Sequence, residues 1–383
     1  MINQDIYQTD PATLKLVNQG VANVNDEKTS QAMAVLRYEL KTFVCDGQYK
    51  RGLEHILETY LKNINEVQQP GVWISGFFGS GKSHLVKMLR ALWVDTVFAD
   101  GATARNIANL PPSIKEHLKE LNTQAKRHGG VHAASGTLGA GASGSVRLAL
   151  LHIIFKSVDL PEQYPVARFV MWLKKDGIYD SVKGHVEQTG FNWDEELANF
   201  YVAEGLHDAL VKVKPNLFSS STTCVETLNN LYPHVSDISS DDMIKVIRQA
   251  LSKDGIFPLT LIALDEVQQF IGENSEKSLE VQEVVESCCK NIGGKLIFIG
   301  TGQTAVTGTS NLKKLEGRFT IRVELSETDV QAVIRKVILA KKSDAIPAIK
   351  EVMQTNLGEI SRHLTGTTIA HRQDDVNNFA QDY

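Results

Sequence analysis

The chain has 383 residues, enough for two or three domains at about 100–200 residues each. Hydrophobic residues make up 42% and charged residues 22% of it, a globular composition that excludes a mostly disordered or fibrous chain. A net charge of −5 does not mark the whole chain as a binder of nucleic acid or membranes, and the four cysteines lack the spacing of a zinc site or a disulfide framework.

The first segment, residues 1–65, carries no motif with recognisable chemistry. Apolar periodicity predicts two helices there, at about 29–44 and 50–63. The polar N-terminus lacks the apolar stretch of a signal peptide, and no uncharged apolar run approaches the ~18 residues of a spanning helix. We therefore expect a cytoplasmic protein that does not enter the membrane.

A glycine-rich motif follows a short apolar strand, Val72–Ile74, and precedes an amphipathic helix. The motif, Gly76-Phe77-Phe78-Gly79-Ser80-Gly81-Lys82-Ser83, matches G-x-x-x-x-G-K-[ST] in full. In such a loop, backbone N–H groups and the positive end of the helix face phosphate oxygens. The motif predicts that Lys82 reaches the β- and γ-phosphates of ATP and that Ser83 holds Mg²⁺, with Gly76, Gly79, Ser80 and Gly81 lining the phosphate site. The alternative is a plain strand-to-helix turn.

Residues from about 95 to 255 are mainly helical by pattern, with one strand near Val131–Ser135. The glycine-rich run Gly136–Ser145 lacks the Gly-Lys pair of a second P-loop. We interpret that run as a flexible linker, with a mobile loop that touches a partner or DNA as the alternative.

The next strand, Leu259–Leu264, is apolar on both faces, as is typical of a central parallel strand. It ends in Asp265-Glu266, at the edge where open α/β sheets bind ligands. Asp265 is the candidate to bind Mg²⁺ through water, and Glu266 the candidate general base for the attacking water. Ordinary strand-end carboxylates are the alternative.

A helix at 277–290 and a buried strand at 295–299 come next. Cys288 lies on the buried stripe of that helix, so we expect the adjacent pair Cys288-Cys289 to pack in the core. After the strand, Thr301 is the first candidate and Gln303 the second for sensing the γ-phosphate or orienting water. A glycine-rich turn is the alternative.

An alternating strand at 319–325 is expected at a sheet edge, and a helix is expected to begin at Ser326. Arg318, just before that strand, is the candidate to stabilise charge on a neighbouring subunit's nucleotide. A surface arginine is the alternative, and Arg322 and Arg372 are weaker candidates for the same role.

Strands that alternate with helices predict an α/β fold with a three-layer, parallel-sheet core. The expected organisation is a helical segment at 1–65, a core at 66–325 with the mainly helical insertion at about 95–255, and the start of a helical lid at 326–383. We expect the chain to be a fragment of a longer protein.

The order of these motifs resembles that of AAA+ P-loop ATPases. The blocks Gly71–His84, Ala263–Gln268 and Phe298–Gln303 are similar to those of BrxC/PglY-type ATPases of bacterial BREX phage-defence systems. The resemblance implies an Mg²⁺-dependent ATPase that forms homo-oligomers and works with other BREX-type proteins on DNA, directly or through partners, in host DNA methylation and phage exclusion. It also assigns His84 to the nucleotide site.

Two alternatives stay open from the residues. One is a nucleotide-gated assembly scaffold with negligible hydrolysis. The other is a clamp-loader-like or helicase-like DNA motor, to which the net charge of −5 lends no support.

Overall fold

A computed structural model describes residues 3–10, 24, 29–138 and 145–356 of the chain. The chain divides into two compact units. The larger unit comprises residues 21–329, and the smaller one comprises residues 1–20 with 330–383.

The larger unit is built on a five-stranded sheet in which neighbouring strands pair in parallel. The strands are β1 (Val72–Ser75), β2 (Val131–Thr137), β3 (Leu259–Asp265), β4 (Leu296–Gly302) and β5 (Ile321–Glu324). Their order across the sheet is β2-β3-β4-β1-β5, so β4 lies between β1 and β3. This confirms the predicted α/β fold with a parallel sheet.

Helices cover both faces of this sheet. Before β3 the helices are α1 (Ser30–Lys41), α2 (Gly47–Asn63), α3 (Lys82–Val94), α4 (Ala104–Ile107), α5 (Pro112–Ala125), α6 (Val146–Ser157), α7 (Tyr164–Lys175), α8 (Tyr179–Gln188), α9 (Trp193–Ala198), α10 (Glu204–Val213), α11 (Ser221–Leu231) and α12 (Ser240–Leu251). After β3 come α13 (Val267–Ile271), α14 (Ser275–Ile292), a 3₁₀ turn (Gly293–Lys295) and α15 (Ser310–Lys313). The helix α16 (Glu327–Val333) follows β5 in the chain.

Each face of the sheet belongs to a different hydrophobic core, because successive strand residues point to opposite sides. Leu261 and Ala263 of β3 lie in the core formed with α2, α3 and α5. Ile262 and Leu264 lie in the core formed with α6, α12 and α14. All seven residues of β3 are therefore buried. At the sheet edge, β5 alternates buried and exposed residues, as its sequence predicts.

The glycine-rich run after residue 135 differs in part from the predicted linker. Gly136 and Thr137 belong to β2, where Thr137 pairs in register with Asp265. Ser145 begins the next helix as its N-cap, since its Oγ accepts from Leu148 N at 3.2 Å. Residues 139–144 lie outside the described residues.

The smaller unit contains a 3₁₀ turn (Asn3–Ile6), a π-helical turn (Ile334–Ile338) and α17 (Ile346–Thr355). Tyr7 and Lys341 form an antiparallel bridge within it. The predicted helix after Ser326 begins at Glu327, but from Ile334 it continues as a π-turn in which Leu339 N donates to Ile334 O at 2.9 Å. Arg372 and the rest of the predicted lid beyond residue 356 lie outside the described residues.

All four cysteines are buried, and the predicted core packing of Cys288 and Cys289 is confirmed. Burial raises the pKa of the Cys289 thiol to about 12, so it packs as a small apolar group. Among the described residues, no helix is both long and apolar enough to cross a membrane.

The C-terminal end of α3 is capped by a guanidinium group. Arg105 donates to Leu92 O at 2.6 Å, to Trp93 O at 2.9 Å and to Leu118 O at 3.0 Å. Bonds from this charged donor to two carbonyls in the last turn of α3 and to one carbonyl within α5 fix α3 against α5.

We predict that Arg105→Ala lowers the free energy of unfolding by about 2–4 kcal/mol, because a bond to a charged group contributes about 1.5–3 kcal/mol and bonds of one side chain do not simply add. Urea denaturation measures the loss. Arg37→Ala is the control, since Arg37 makes an ion pair with Asp100 in which the side chains are 44% and 55% exposed. Equal destabilisation by both substitutions would contradict the capping role.

Candidate functional site

The candidate site lies at the carboxyl edge of the sheet, where β1, β4 and β3 end side by side. Ser75 at the end of β1 is in register with Gly302 at the end of β4, and Leu264 of β3 is in register with Gly300. Because parallel strands end at the same edge, the loops that follow them converge there. The glycine-rich loop, Gly76–Ser83, follows β1, and Asp265-Glu266 stands at the end of β3.

The glycine-rich loop has a conformation that its glycines permit. Gly79 and Gly81 have φ values of +83° and +89°, in the region that favours glycine. Ser80 N donates to Phe77 O at 3.1 Å, and α3 begins at Lys82. The predicted order of strand, tight loop and helix is therefore present.

Lys82 turns back over this loop. Its Nζ donates to Gly76 O at 2.7 Å and to Phe77 O at 3.0 Å. Partial burial lowers the pKa of the Lys82 ammonium group, and the negative charge of Asp265 acts in the opposite direction. An anion beside Nζ would restore favourable solvation of this charge.

A chain of hydrogen bonds joins α3, β3 and β4. Ser83 Oγ donates to Asp265 Oδ2 at 2.7 Å, and Thr301 Oγ1 donates to Asp265 Oδ1 at 2.5 Å. Asp265 is 6% exposed and Thr301 is 1% exposed. The structure thus brings together three side chains that lie far apart in the sequence and that were predicted to share a site.

Glu266 lies at the solvent-exposed end of this series of hydrogen bonds. Its backbone N–H donates to Thr301 Oγ1 at 2.9 Å, and its φ of +56° is in the left-handed region, which is uncommon for residues other than glycine. The side chain is exposed, while the next residue, Val267, is buried and begins α13. Such strained backbone persists where its surroundings hold it, and it is concentrated at functional sites.

The loop after β4 is held by two side chains for which the sequence suggested no role. Gln268 Oε1 accepts from Gln303 N at 2.7 Å and from Thr304 N at 3.0 Å. Trp73 Nε1 donates to Thr304 O at 2.9 Å. Gln303 is exposed, and its backbone rather than its side chain makes the contact to Gln268. No local pattern could reveal these contacts, because the partners are far apart in the chain.

The oxygens of Ser83 and Asp265 fit a magnesium ion. Mg²⁺ is usually bound by one or two protein oxygens together with water and substrate phosphates. Within the described residues, no group of three His, Cys, Asp or Glu side chains is arranged to hold a metal. A cation here would therefore depend on Ser83, Asp265 and the oxygens of a bound ligand.

The N-terminal helices contact the glycine-rich loop and α3. Tyr49 of α2 donates from its hydroxyl to Ser80 O at 3.1 Å. His84 packs edge-to-face on Phe43 with 5.7 Å between ring centres, and burial lowers the pKa of its imidazole. Lys87 Nζ lies 2.7 Å from the buried Glu39 Oε2. The stretch from α1 to α2, which carries no motif of its own, thus forms one wall of the candidate site.

Arg318 lies at the opposite, amino edge of the sheet. Its backbone O accepts from Gly71 N, just before β1, and its guanidinium lies 2.6 Å from Glu286 Oε1. It does not reach the glycine-rich loop of its own chain, and its predicted action on a neighbouring subunit stays a prediction. Arg322, the weaker candidate, pairs with Glu316 at 2.7 Å.

Comparisons with known proteins add no family assignment. No protein-family model matches the chain, and a search of solved structures finds no match either.

We predict that Thr301→Val lowers the free energy of unfolding by about 1–3 kcal/mol, because it leaves a buried carboxylate oxygen and the Glu266 N–H without their hydroxyl partner. Thr301→Ser is the matched control and should stay close to the wild type, since it keeps the hydroxyl. Chemical denaturation compares the three proteins. If the valine variant is as stable as the serine variant, the hydroxyl does not join β3 to β4.

Proposed function

We propose that the chain is an Mg²⁺-dependent ATP-binding and ATP-hydrolysing module with a P-loop NTPase fold of the AAA+ type. One observation carries the proposal: a glycine-rich loop with its lysine, a serine–aspartate pair suited to Mg²⁺ and an exposed glutamate all meet at the carboxyl edge of one sheet. Each of these groups matches a need of phosphoryl transfer, which depends on positioning and on charge stabilisation.

Lys82 has a direct role in binding. Its ammonium group exchanges the carbonyl oxygens of Gly76 and Phe77 for oxygens of the β- and γ-phosphates, which are better partners because they are charged. Ser83 and Asp265 would hold Mg²⁺, which supplies positive charge beside the phosphates.

Glu266 acts in hydrolysis as the general base. Its carboxylate accepts a proton from water as the water oxygen attacks the γ-phosphorus, and the bond to the leaving diphosphate oxygen breaks. Thr301 positions this residue, because its hydroxyl joins the Glu266 backbone to Asp265.

The wider context rests on the resemblance to BrxC/PglY-type ATPases alone. We propose a cytoplasmic homo-oligomer that works with other BREX-type defence proteins on DNA, directly or through partners, in host DNA modification and phage exclusion. A nucleotide-gated scaffold and a clamp-loader-like or helicase-like motor are the alternatives. They share the same nucleotide site, and turnover with and without DNA separates the three.

Lys82→Ala should weaken Mg²⁺-ATP binding by at least about tenfold, the effect of losing one hydrogen bond to a charged group. The variant should stay folded, with a modest fall in thermal midpoint from the two lost bonds to loop carbonyls, since the half-buried Lys82 side chain lies outside the hydrophobic cores. Isothermal titration calorimetry measures the affinity, with Lys62→Ala as the control because Lys62 is a 71% exposed lysine of α2. Equal affinity in wild type and Lys82→Ala would refute the nucleotide site.

Glu266→Gln keeps the shape of the side chain and removes its basicity. It should bind Mg²⁺-ATP as the wild type does and hydrolyse it at least about 10²-fold more slowly, in line with the usual contribution of a general base. Phosphate release at saturating ATP measures the rate. Glu273→Gln is the control, since Glu273 is an exposed carboxylate beyond the end of α13. Near-normal turnover of Glu266→Gln would assign the base to another residue, with Gln303 next to be tested for orienting the water.

A further inference from the structure

We propose that Tyr49 is a positioning residue that sets the phosphate-binding conformation of the glycine-rich loop from outside the motif. The inference rests on the proposed function, and it assigns to the N-terminal helix α2 a specific effect on nucleotide affinity. Tyr49 lies 31 positions before Ser80 in the chain, and its hydroxyl donates to Ser80 O at 3.1 Å.

The direction of this bond determines the direction of a neighbouring amide. The Ser80–Gly81 peptide unit is planar, and in a trans peptide the C=O and the N–H point to opposite sides. With the Ser80 carbonyl held toward Tyr49, the Gly81 N–H points away from Tyr49. A P-loop binds phosphate through N–H groups that share one direction, so a fixed peptide unit lowers the cost of arranging them.

Gly81 fits this contact because it has no side chain. A Cβ at Gly81 would collide with Tyr49 Oη, and its φ of +89° is unfavourable for other residues. Close approach of the phenol and the left-handed backbone thus occur at the same residue, immediately before Lys82.

Tyr49 is itself held by a rigid part of the fold. It is 7% exposed and lies in the first turn of α2, with its ring edge-to-face on Phe43 at 6.0 Å between centres. Further along the helix, Gly52 allows α2 to approach β5, since a Cβ there would lie 2.7 Å from Val323 Cγ1. The hydroxyl therefore has little freedom to follow a loop that moves.

The test compares two phenylalanine substitutions in the same helix. Tyr49→Phe removes the hydroxyl that contacts the loop. Tyr60→Phe removes an equivalent hydroxyl that donates to Lys295 O at 2.9 Å, at the opposite edge of the sheet. Both should cost similar stability in urea denaturation. Only Tyr49→Phe should raise the Kd for Mg²⁺-ATP, by about three- to tenfold, as expected for one net hydrogen bond. Its KM should rise while kcat stays near the wild-type value.

A second probe separates an effect on binding of the phosphates from an effect on binding of the adenosine part of ATP. Inorganic tripolyphosphate with Mg²⁺ should compete with a fluorescent ATP analogue for the site. Tyr49→Phe should weaken the binding of tripolyphosphate as much as it weakens the binding of ATP. The inference is overturned if Tyr49→Phe binds ATP as the wild type does, if Tyr60→Phe weakens ATP equally, or if tripolyphosphate affinity is unchanged. A wild-type protein that binds no Mg²⁺-ATP would instead refute the proposed function, and this inference with it.

Discussion

The carboxylate of Asp265 joins the parts of the molecule on which the candidate site depends. One oxygen accepts from Ser83 at the start of α3, and the other accepts from Thr301 at the end of β4. Since β4 lies between β1 and β3, these bonds connect the loop after β1 to the end of β3 across the middle of the sheet. The register of the parallel strands makes this possible, because a shift of one strand would separate the three side chains.

The sequence predicts the framework of this arrangement well. Strands β3 and β4 are mostly apolar because both of their faces are covered, and β5 alternates because it lies at an edge. The glycine-rich motif places glycines where the backbone adopts positive φ values, at Gly79 and Gly81. These features depend on periodicity and local conformation, which a single sequence records directly. The α/β fold with its parallel sheet is confirmed, and the nucleotide chemistry stays a proposal.

The contacts that hold the site could not be predicted, because they join residues distant in the chain. Tyr49 to Ser80 and Gln268 to Gln303 are ordinary side-chain-to-backbone hydrogen bonds, and no spacing rule singles out their donors and acceptors. Gly136 shows a different limit. A glycine-rich composition favours a loop, but its pairing partners in β3 draw the first residues of the run into β2, since tertiary context overrides local propensity.

The two halves of the site are supported by different hydrophobic cores. Tyr49 and the helix that carries it pack in the core with α3 and α5, whereas Val267, next to Glu266, packs in the core with α6, α12 and α14. The sheet lies between these cores, and the hydrogen bonds of Asp265 and Thr301 join the two halves of the site at the strand ends. Under the proposed function, α2 supports the loop that binds phosphate, and α13 supports Glu266, which activates water. Changes in the N-terminal helices should therefore affect affinity, and changes in the helices between β2 and β3 should affect turnover.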